Sequence, residues 1–149
     1  MTPEEMKKKA RKLLMDGMHC SQAVAVVGQE KLGIENDGVI RAMGAFGGGL
    51  GSNGETCGAV IGGIASVGLK FGGNPNEPED DMKIRAYTEE FLTRFKKEIG
   101  NGCILCRDIT GVDWKDEKQV EAYRNSDIAN KCWILVGRTA QLIGEMLER

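Results

Sequence analysis

The segment CGAVIGGIASVGLK at residues 57–70 decides the fold, because it is apolar, is built of small residues and contains four glycines. Thr56 stands directly before it and can act as a helix N-cap. Glycine weakens a helix by about 1 kcal/mol relative to alanine. A helix that carries so many glycines must be buried, with a neighbouring backbone packed closely against it. We therefore expect this helix at the centre of the protein.

Helix signals continue on both sides of this segment. Thr2-Pro3-Glu4-Glu5 has the form of an N-cap, a proline at the first helical position and a capping-box glutamate. Apolar residues at helical spacing predict further helices over about residues 3–16, 20–33, 37–46, 79–99, 113–123 and 128–146.

The remaining segments complete an all-α interpretation. Turn-rich connections are expected at residues 47–54 and 72–78, residues 79–81 are expected to open the long helix, and Asp113 is expected to cap the short one. No alternating β pattern and no internal repeat is present. We predict a single domain over residues 1–149, a compact all-α bundle of about six or seven helices around the Gly-rich helix.

Composition excludes several classes of function. The net charge is −2, whereas nucleic-acid binding requires clustered basic residues. No apolar stretch approaches the ~18 residues of a membrane span, and the charged N-terminus does not resemble a signal peptide. We expect a cytoplasmic protein whose five cysteines are reduced. A glycine-rich apolar helix leaves a homodimer open.

The cysteines are the residues most suited to chemistry. They are Cys20, Cys57, Cys103, Cys106 and Cys132. Only Cys103 and Cys106 form a close pair, and the chain has a single histidine, so a zinc finger or ribbon lacks its second pair of ligands. Any site must therefore be assembled by the fold from distant positions.

Three cysteines fall where helices are expected to begin. Cys20, Cys57 and Cys106 each lie in a predicted first turn, where free N–H groups and the helix dipole favour a thiolate and lower its pKa. Cys57 and Cys106 are therefore the candidate catalytic thiols, with Cys57 as the reactive one. His19 could orient or deprotonate Cys20. Cys132 lies on an apolar helix face, where a buried structural thiol is the alternative.

Glycine dominates the loop GGGLGSNG at residues 47–54. Its last six residues fit G-x-G-x-x-G, but no βαβ unit surrounds them, which argues against dinucleotide binding. Bare backbone N–H groups can instead form a nest around a negatively charged group. Trp114 and Trp133 are interpreted as packing residues. The candidate cofactor-binding residues are Gly49, Gly51, Gly54 and Gly58.

The stretch GETCGAVIG at residues 54–62 contains the motif C-G-A-x-x-G. With one cysteine before it and others after it, the chain resembles the C_GCAxxG_C_C family of redox-active proteins from about Cys20 to the C-terminus. The resemblance implies that Cys103 is an extra cysteine of this sequence. It implies that the four family cysteines are Cys20, Cys57, Cys106 and Cys132.

Three functions remain open at this stage. The first is electron transfer to an unidentified partner through an iron–sulfur cluster or another thiolate-bound metal, with the four family cysteines as ligands. The second is a thiol/disulfide redox protein in which Cys57 attacks and another cysteine resolves. The third is a non-catalytic helical interaction domain with structural thiols. No substrate is indicated, so the sequence does not decide whether the protein is an enzyme.

Overall fold

The computed structural model describes residues 1–73, 75–76 and 81–149, and most of these residues are helical. Within these residues the all-α prediction is confirmed, with eight regular α-helices rather than six or seven, besides a 3-10 turn at Gly44–Phe46 and a distorted helical turn at Gly47–Leu50. They are α1 (Pro3–Met15), α2 (Cys20–Leu32), α3 (Asp37–Met43), α4 (Gly58–Phe71), α5 (Asp81–Glu98), α6 (Cys106–Thr110), α7 (Glu117–Arg124) and α8 (Asp127–Leu147). The predicted connection at 72–78 lies partly outside the described residues, and so does the predicted opening of α5 at 79–81.

Side-chain caps set four of the eight helix starts, those of α1, α3, α7 and α8. The Thr2 hydroxyl accepts from the Glu5 N–H at 3.1 Å while the Glu5 carboxylate accepts from the Thr2 N–H at 2.7 Å, which completes the predicted capping box. The predicted cap at Asp113 is wrong. Asp116 caps α7 instead, because Asp113 is engaged in a preceding turn, where its backbone oxygen accepts from the Asp116 N–H at 3.1 Å.

The Gly-rich helix α4 lies at the centre, as predicted, in contact with α2, α5 and α8. A methyl group at Gly62 would overlap the backbone oxygen of Ser21 on α2, and one at Gly63 would overlap the ring of Phe91 on α5. Each missing side chain is therefore what allows a neighbour to approach. Burial of the apolar surface between these helices stabilises the bundle.

Helix α1 packs along α8 and closes the core on the other side. Gly144 of α8 faces Met6 of α1, and a side chain at Gly144 would stand 2.7 Å from the Met6 sulfur. Met6, Phe91, Phe95 and Ile143 are fully buried. None of the helices that the structure describes is long and apolar enough to cross a membrane.

Candidate functional site

A short backbone pairing brings two distant cysteines together. Thr56 and Leu105 form an isolated antiparallel bridge. On either side of it the Cys57 N–H donates to the Ile104 oxygen at 2.7 Å, and the Cys106 N–H donates to the Glu55 oxygen at 2.6 Å. Cys57 then occupies the N-cap position of α4 without a side-chain capping bond, so the predicted cap at Thr56 is wrong by one residue, and Cys106 begins α6. The bridge therefore places the start of α4 next to the start of α6.

Two further helices add the other sulfurs. Cys20 begins α2 and lies against the first turn of α4, where a side chain at Gly58 would overlap the Cys20 sulfur. Cys132 lies in the second turn of α8. Cys57 and Cys106 are buried, whereas Cys20 and Cys132 are half-buried.

The four sulfur-bearing residues line one cavity of about 240 Å³. Apolar side chains of α1, α6 and α8 form much of the remaining wall, among them Leu14, Ile109, Leu135 and Val136. Cys103 lies apart and lines a separate surface groove with Asn101, Lys131 and Arg138. The fold therefore gathers the four cysteines that the resemblance singles out and leaves the fifth outside.

The predicted lowering of the Cys57 pKa is wrong. Burial raises the pKa of the Cys57 thiol, and the nearby ionisable Cys20 and Cys106 raise it further. The N–H groups of Ala59 and Val60 at the start of α4 act in the opposite direction, as the helix dipole predicts, but they do not outweigh burial.

The pKa values of the Cys20 and Cys132 thiols are raised as well. Burial raises the pKa of Cys20, although N–H groups of Gly48 and Ser21 partly offset it. Burial also raises the pKa of Cys132 to about 11, against a hydrogen bond from Tyr123 that lowers it. These thiols are therefore protonated at neutral pH unless a positive charge is supplied to the cavity.

The glycine loop contributes to the cavity through other residues than those predicted. Gly47, Gly48 and Gly58 line the cavity, and the Gly48 N–H lies close enough to act on Cys20. Two other predicted glycines serve the loop itself. Gly54 donates its N–H to the Gly48 oxygen at 3.1 Å, and Gly49 accepts from the Glu55 N–H at 3.0 Å. A direct cofactor-binding role for Gly49, Gly51 and Gly54 stays a prediction.

Two aromatic residues at the site were missed by the sequence analysis. The Trp114 indole Nε1–H donates to the Cys106 sulfur at 3.3 Å, and Trp114 lines the cavity instead of only packing. Tyr123 also lines it and lies close enough to Cys132 to influence the pKa of its thiol. One signal was available: both stand in or beside α7, a polar helix with no buried residue, where aromatic side chains need another reason to be present.

His19 lies at the rim of the cavity as the N-cap residue of α2. Its side chain makes no capping hydrogen bond, and its Nδ1 would stand 2.5 Å from a methyl group at Gly47. The ring therefore packs on the glycine loop next to Cys20, which is where an orienting role would require it.

Across the described ranges, no three His, Cys, Asp or Glu side chains are arranged so that they could hold a metal ion. Cys20, Cys57, Cys106 and Cys132 line one shared cavity. The donor set is soft, which suits iron–sulfur and other thiolate-bound metals.

Comparison with known proteins agrees with this arrangement. Residues 18–146 match the family model described as "Putative redox-active protein (C_GCAxxG_C_C)". No curated protein and no solved structure matches the chain. The matched region begins just before Cys20 and ends in the last turns of α8, so it contains every residue of the cavity wall except Leu14. With most of its length matched and the motif cysteines gathered in one cavity, the chain belongs to the C_GCAxxG_C_C family.

Proposed function

We propose that the protein transfers electrons by means of an iron–sulfur cluster held by Cys20, Cys57, Cys106 and Cys132. One observation carries the proposal: four cysteines that are far apart in the sequence line a single cavity, while Cys103 does not. Four cysteine thiolates are the usual ligand set of such clusters. When bound, the cluster supplies one-electron redox chemistry.

The size of the cavity supports a polyatomic group. A water molecule takes up about 30 Å³ in the liquid, so a volume of about 240 Å³ exceeds the space that a single ion needs. The cavity therefore has room for a polyatomic group such as a cluster.

The electrostatics of the cavity make binding of the proposed cluster depend on pH. Burial and mutual repulsion raise the pKa values of Cys20, Cys57 and Cys132, so the protein alone holds these groups as neutral thiols. Metal ions deprotonate coordinating thiols and so release protons on binding. The N–H groups of Gly48, Ala59 and Val60 then stabilise the thiolates. We expect iron uptake to become tighter as the pH rises.

Anaerobic reconstitution with ferrous iron and sulfide tests the proposal. We expect the wild-type protein to turn brown, to absorb in the charge-transfer region and to bind iron and acid-labile sulfide in equal amounts. Cys57→Ser and Cys106→Ser should lose most of the iron. Cys103→Ser is the matched control and should bind as much iron as the wild type. Wild-type protein that stays colourless and iron-free contradicts the proposal.

A thiol/disulfide protein is the second candidate, favoured by the backbone bridge that places Cys57 next to Cys106 in space. In that reaction the two thiols exchange with a disulfide of a partner protein, forming one S–S bond here and leaving two thiols on the partner. Because burial raises the pKa of Cys57, we expect slow exchange at neutral pH.

Thiol counting separates the two candidates. After oxidation of the metal-free protein, the disulfide reaction predicts two fewer alkylatable thiols in the wild type and in Cys103→Ser, and no such loss in Cys57→Ser. If all five thiols remain free and no iron is bound, the cysteines are structural, which leaves the helical interaction domain as the remaining function.

A further inference from the structure

One polar contact to the four sulfurs comes from a residue that is neither a cysteine nor part of the family motif. The Trp114 indole Nε1–H donates to the Cys106 sulfur at 3.3 Å. Trp114 is half-buried and forms part of the cavity wall. An indole N–H is a donor with no acceptor capacity. It can therefore stabilise negative charge on the sulfur but cannot compete with it as a ligand.

The indole is held in place from several sides. The ring of Tyr123 meets it edge-on, with ring centroids 4.7 Å apart and planes at 77°, a favourable geometry for an aromatic pair. The two residues before Trp114 are fixed as well: the Val112 N–H donates to the Thr110 hydroxyl at 3.1 Å, and the Asp113 N–H donates to Gln119 Oε1 of α7 at 2.9 Å. The contact with Cys106 is therefore built into the fold.

We propose that Trp114 is a positioning residue that sets the reduction potential of the cysteine site through its N–H···S hydrogen bond to Cys106, with Tyr123 holding the indole in place. The inference rests on the proposed redox function of the same site. Hydrogen bonds to ligand sulfurs are one of the factors that set the potential of thiolate-bound centres. The bond stabilises the reduced state more, because that state carries more negative charge, so it raises the potential.

The first experiment compares Trp114→Phe with Trp133→Phe in reconstituted protein. Trp133 stands on α8 and is not among the residues that line the cavity, so its variant is a matched control. We expect Trp114→Phe to lower the ratio of reduced to oxidised protein about tenfold at a fixed potential, which is about 59 mV for a one-electron couple. Trp133→Phe should have the same reduction potential as the wild type.

The second experiment detects the hydrogen bond itself in metal-free protein. The indole N–H signals of Trp114 and Trp133 can be assigned in ¹H–¹⁵N spectra from the two phenylalanine variants. We expect Cys106→Ala to shift the Trp114 signal and speed its hydrogen exchange, and to leave the Trp133 signal unchanged. Tyr123→Phe, which keeps the ring, should preserve the Trp114 signal, whereas Tyr123→Leu should weaken its protection.

These outcomes keep the inference separate from the proposed function. If the wild type binds no iron, the proposed function fails, and the same Trp114 comparison is made on the dithiol/disulfide couple, for which tenfold is about 30 mV. Equal potentials for Trp114→Phe and Trp133→Phe overturn the inference in either case. It is also overturned if Cys106→Ala leaves the Trp114 signal unchanged.

Discussion

The contact between α2 and α4 and the loop at residues 47–56 both depend on glycine, but for different physical reasons. In α4, Gly62 has a helical backbone and is needed because a side chain would strike Ser21 on the neighbouring helix. In the loop, Gly49 has a φ of +71°, which side-chain-bearing residues rarely adopt. The first use brings helices together, and the second shapes an irregular turn.

The two regions also differ in how well they tolerate substitutions. The helical core is held by many apolar contacts spread over α1, α2, α4, α5 and α8. The cavity depends on one antiparallel bridge at Thr56–Leu105 and on a run of positive φ values that includes Leu50 and Ser52. Positive φ at non-glycine residues costs energy and persists only where the surroundings enforce it. We therefore expect the site to be easier to damage than the core.

The largest expected effect separates two glycines of α4. Gly62→Ala should lower the free energy of unfolding by about 3 kcal/mol, because its methyl group would overlap the Ser21 backbone oxygen and force α2 away. Gly68→Ala should raise it by about 0.5–1 kcal/mol, because no heavy atom lies within 4 Å of the new methyl group and alanine favours the helix. Urea unfolding followed by circular dichroism measures both.

The two variants share the residue change and the helix, so their difference isolates close packing from helix propensity. If Gly62→Ala is as stable as Gly68→Ala, the close approach of α2 to α4 is not required for folding, and the central position of α4 has another cause.

The next effect concerns two glycines of the loop. A methyl group at Gly49 would lie 2.6 Å from the Cys106 Cβ and 2.7 Å from the backbone of Glu55, whereas at Gly51 the nearest heavy atom is 3.6 Å away. Both glycines have positive φ. Gly51→Ala should cost about 1 kcal/mol from backbone strain alone, and Gly49→Ala about 2 kcal/mol because the clash is added.

We expect the two substitutions to differ more in iron binding than in the free energy of unfolding. We expect Gly49→Ala to lose most of its iron on reconstitution and to expose Cys106 to alkylation, while Gly51→Ala keeps both properties of the wild type. Equal iron content in the two variants would mean that the packing of Gly49 on Cys106 does not shape the cavity.

Sequence reasoning predicted the helical part well because its causes are local. The capping box at Thr2, the apolar spacing and the glycines of α4 each act within a few residues. The cap of α7 was misplaced because Asp113 and Asp116 are equally suitable by type, and only the preceding turn decides between them.

The site was predicted only in part because its causes are tertiary. The positions of Cys20, Cys57 and Cys106 at helix starts followed from local signals. The bridge at Thr56–Leu105 joins segments about fifty residues apart and has no strand pattern to predict it. The direction of the Cys57 pKa shift depends on burial, which outweighs the helix dipole and cannot be seen from spacing.

The smallest effect is a dependence of stability on pH that arises at the cavity. In the folded protein the pKa of Cys132 rises from 9.0 to about 11, so the folded state keeps its proton where the unfolded state loses it. Stability from this thiol is therefore complete below about pH 9 and is lost as the pH rises towards about 11. Between about pH 8 and pH 10 the loss should be about 1 kcal/mol.

Metal-free protein unfolded in urea at several pH values tests this. Cys132→Ser cannot ionise, so its free energy of unfolding should fall less than that of the wild type over the same interval. Cys103→Ser, which lies outside the cavity, should follow the wild-type curve. Parallel curves for Cys132→Ser and wild type would mean that Cys132 is as well solvated in the folded protein as in the unfolded chain. The cavity would then be open to water at α8. The pH dependence of stability would have to arise from Cys20 and Cys57 instead.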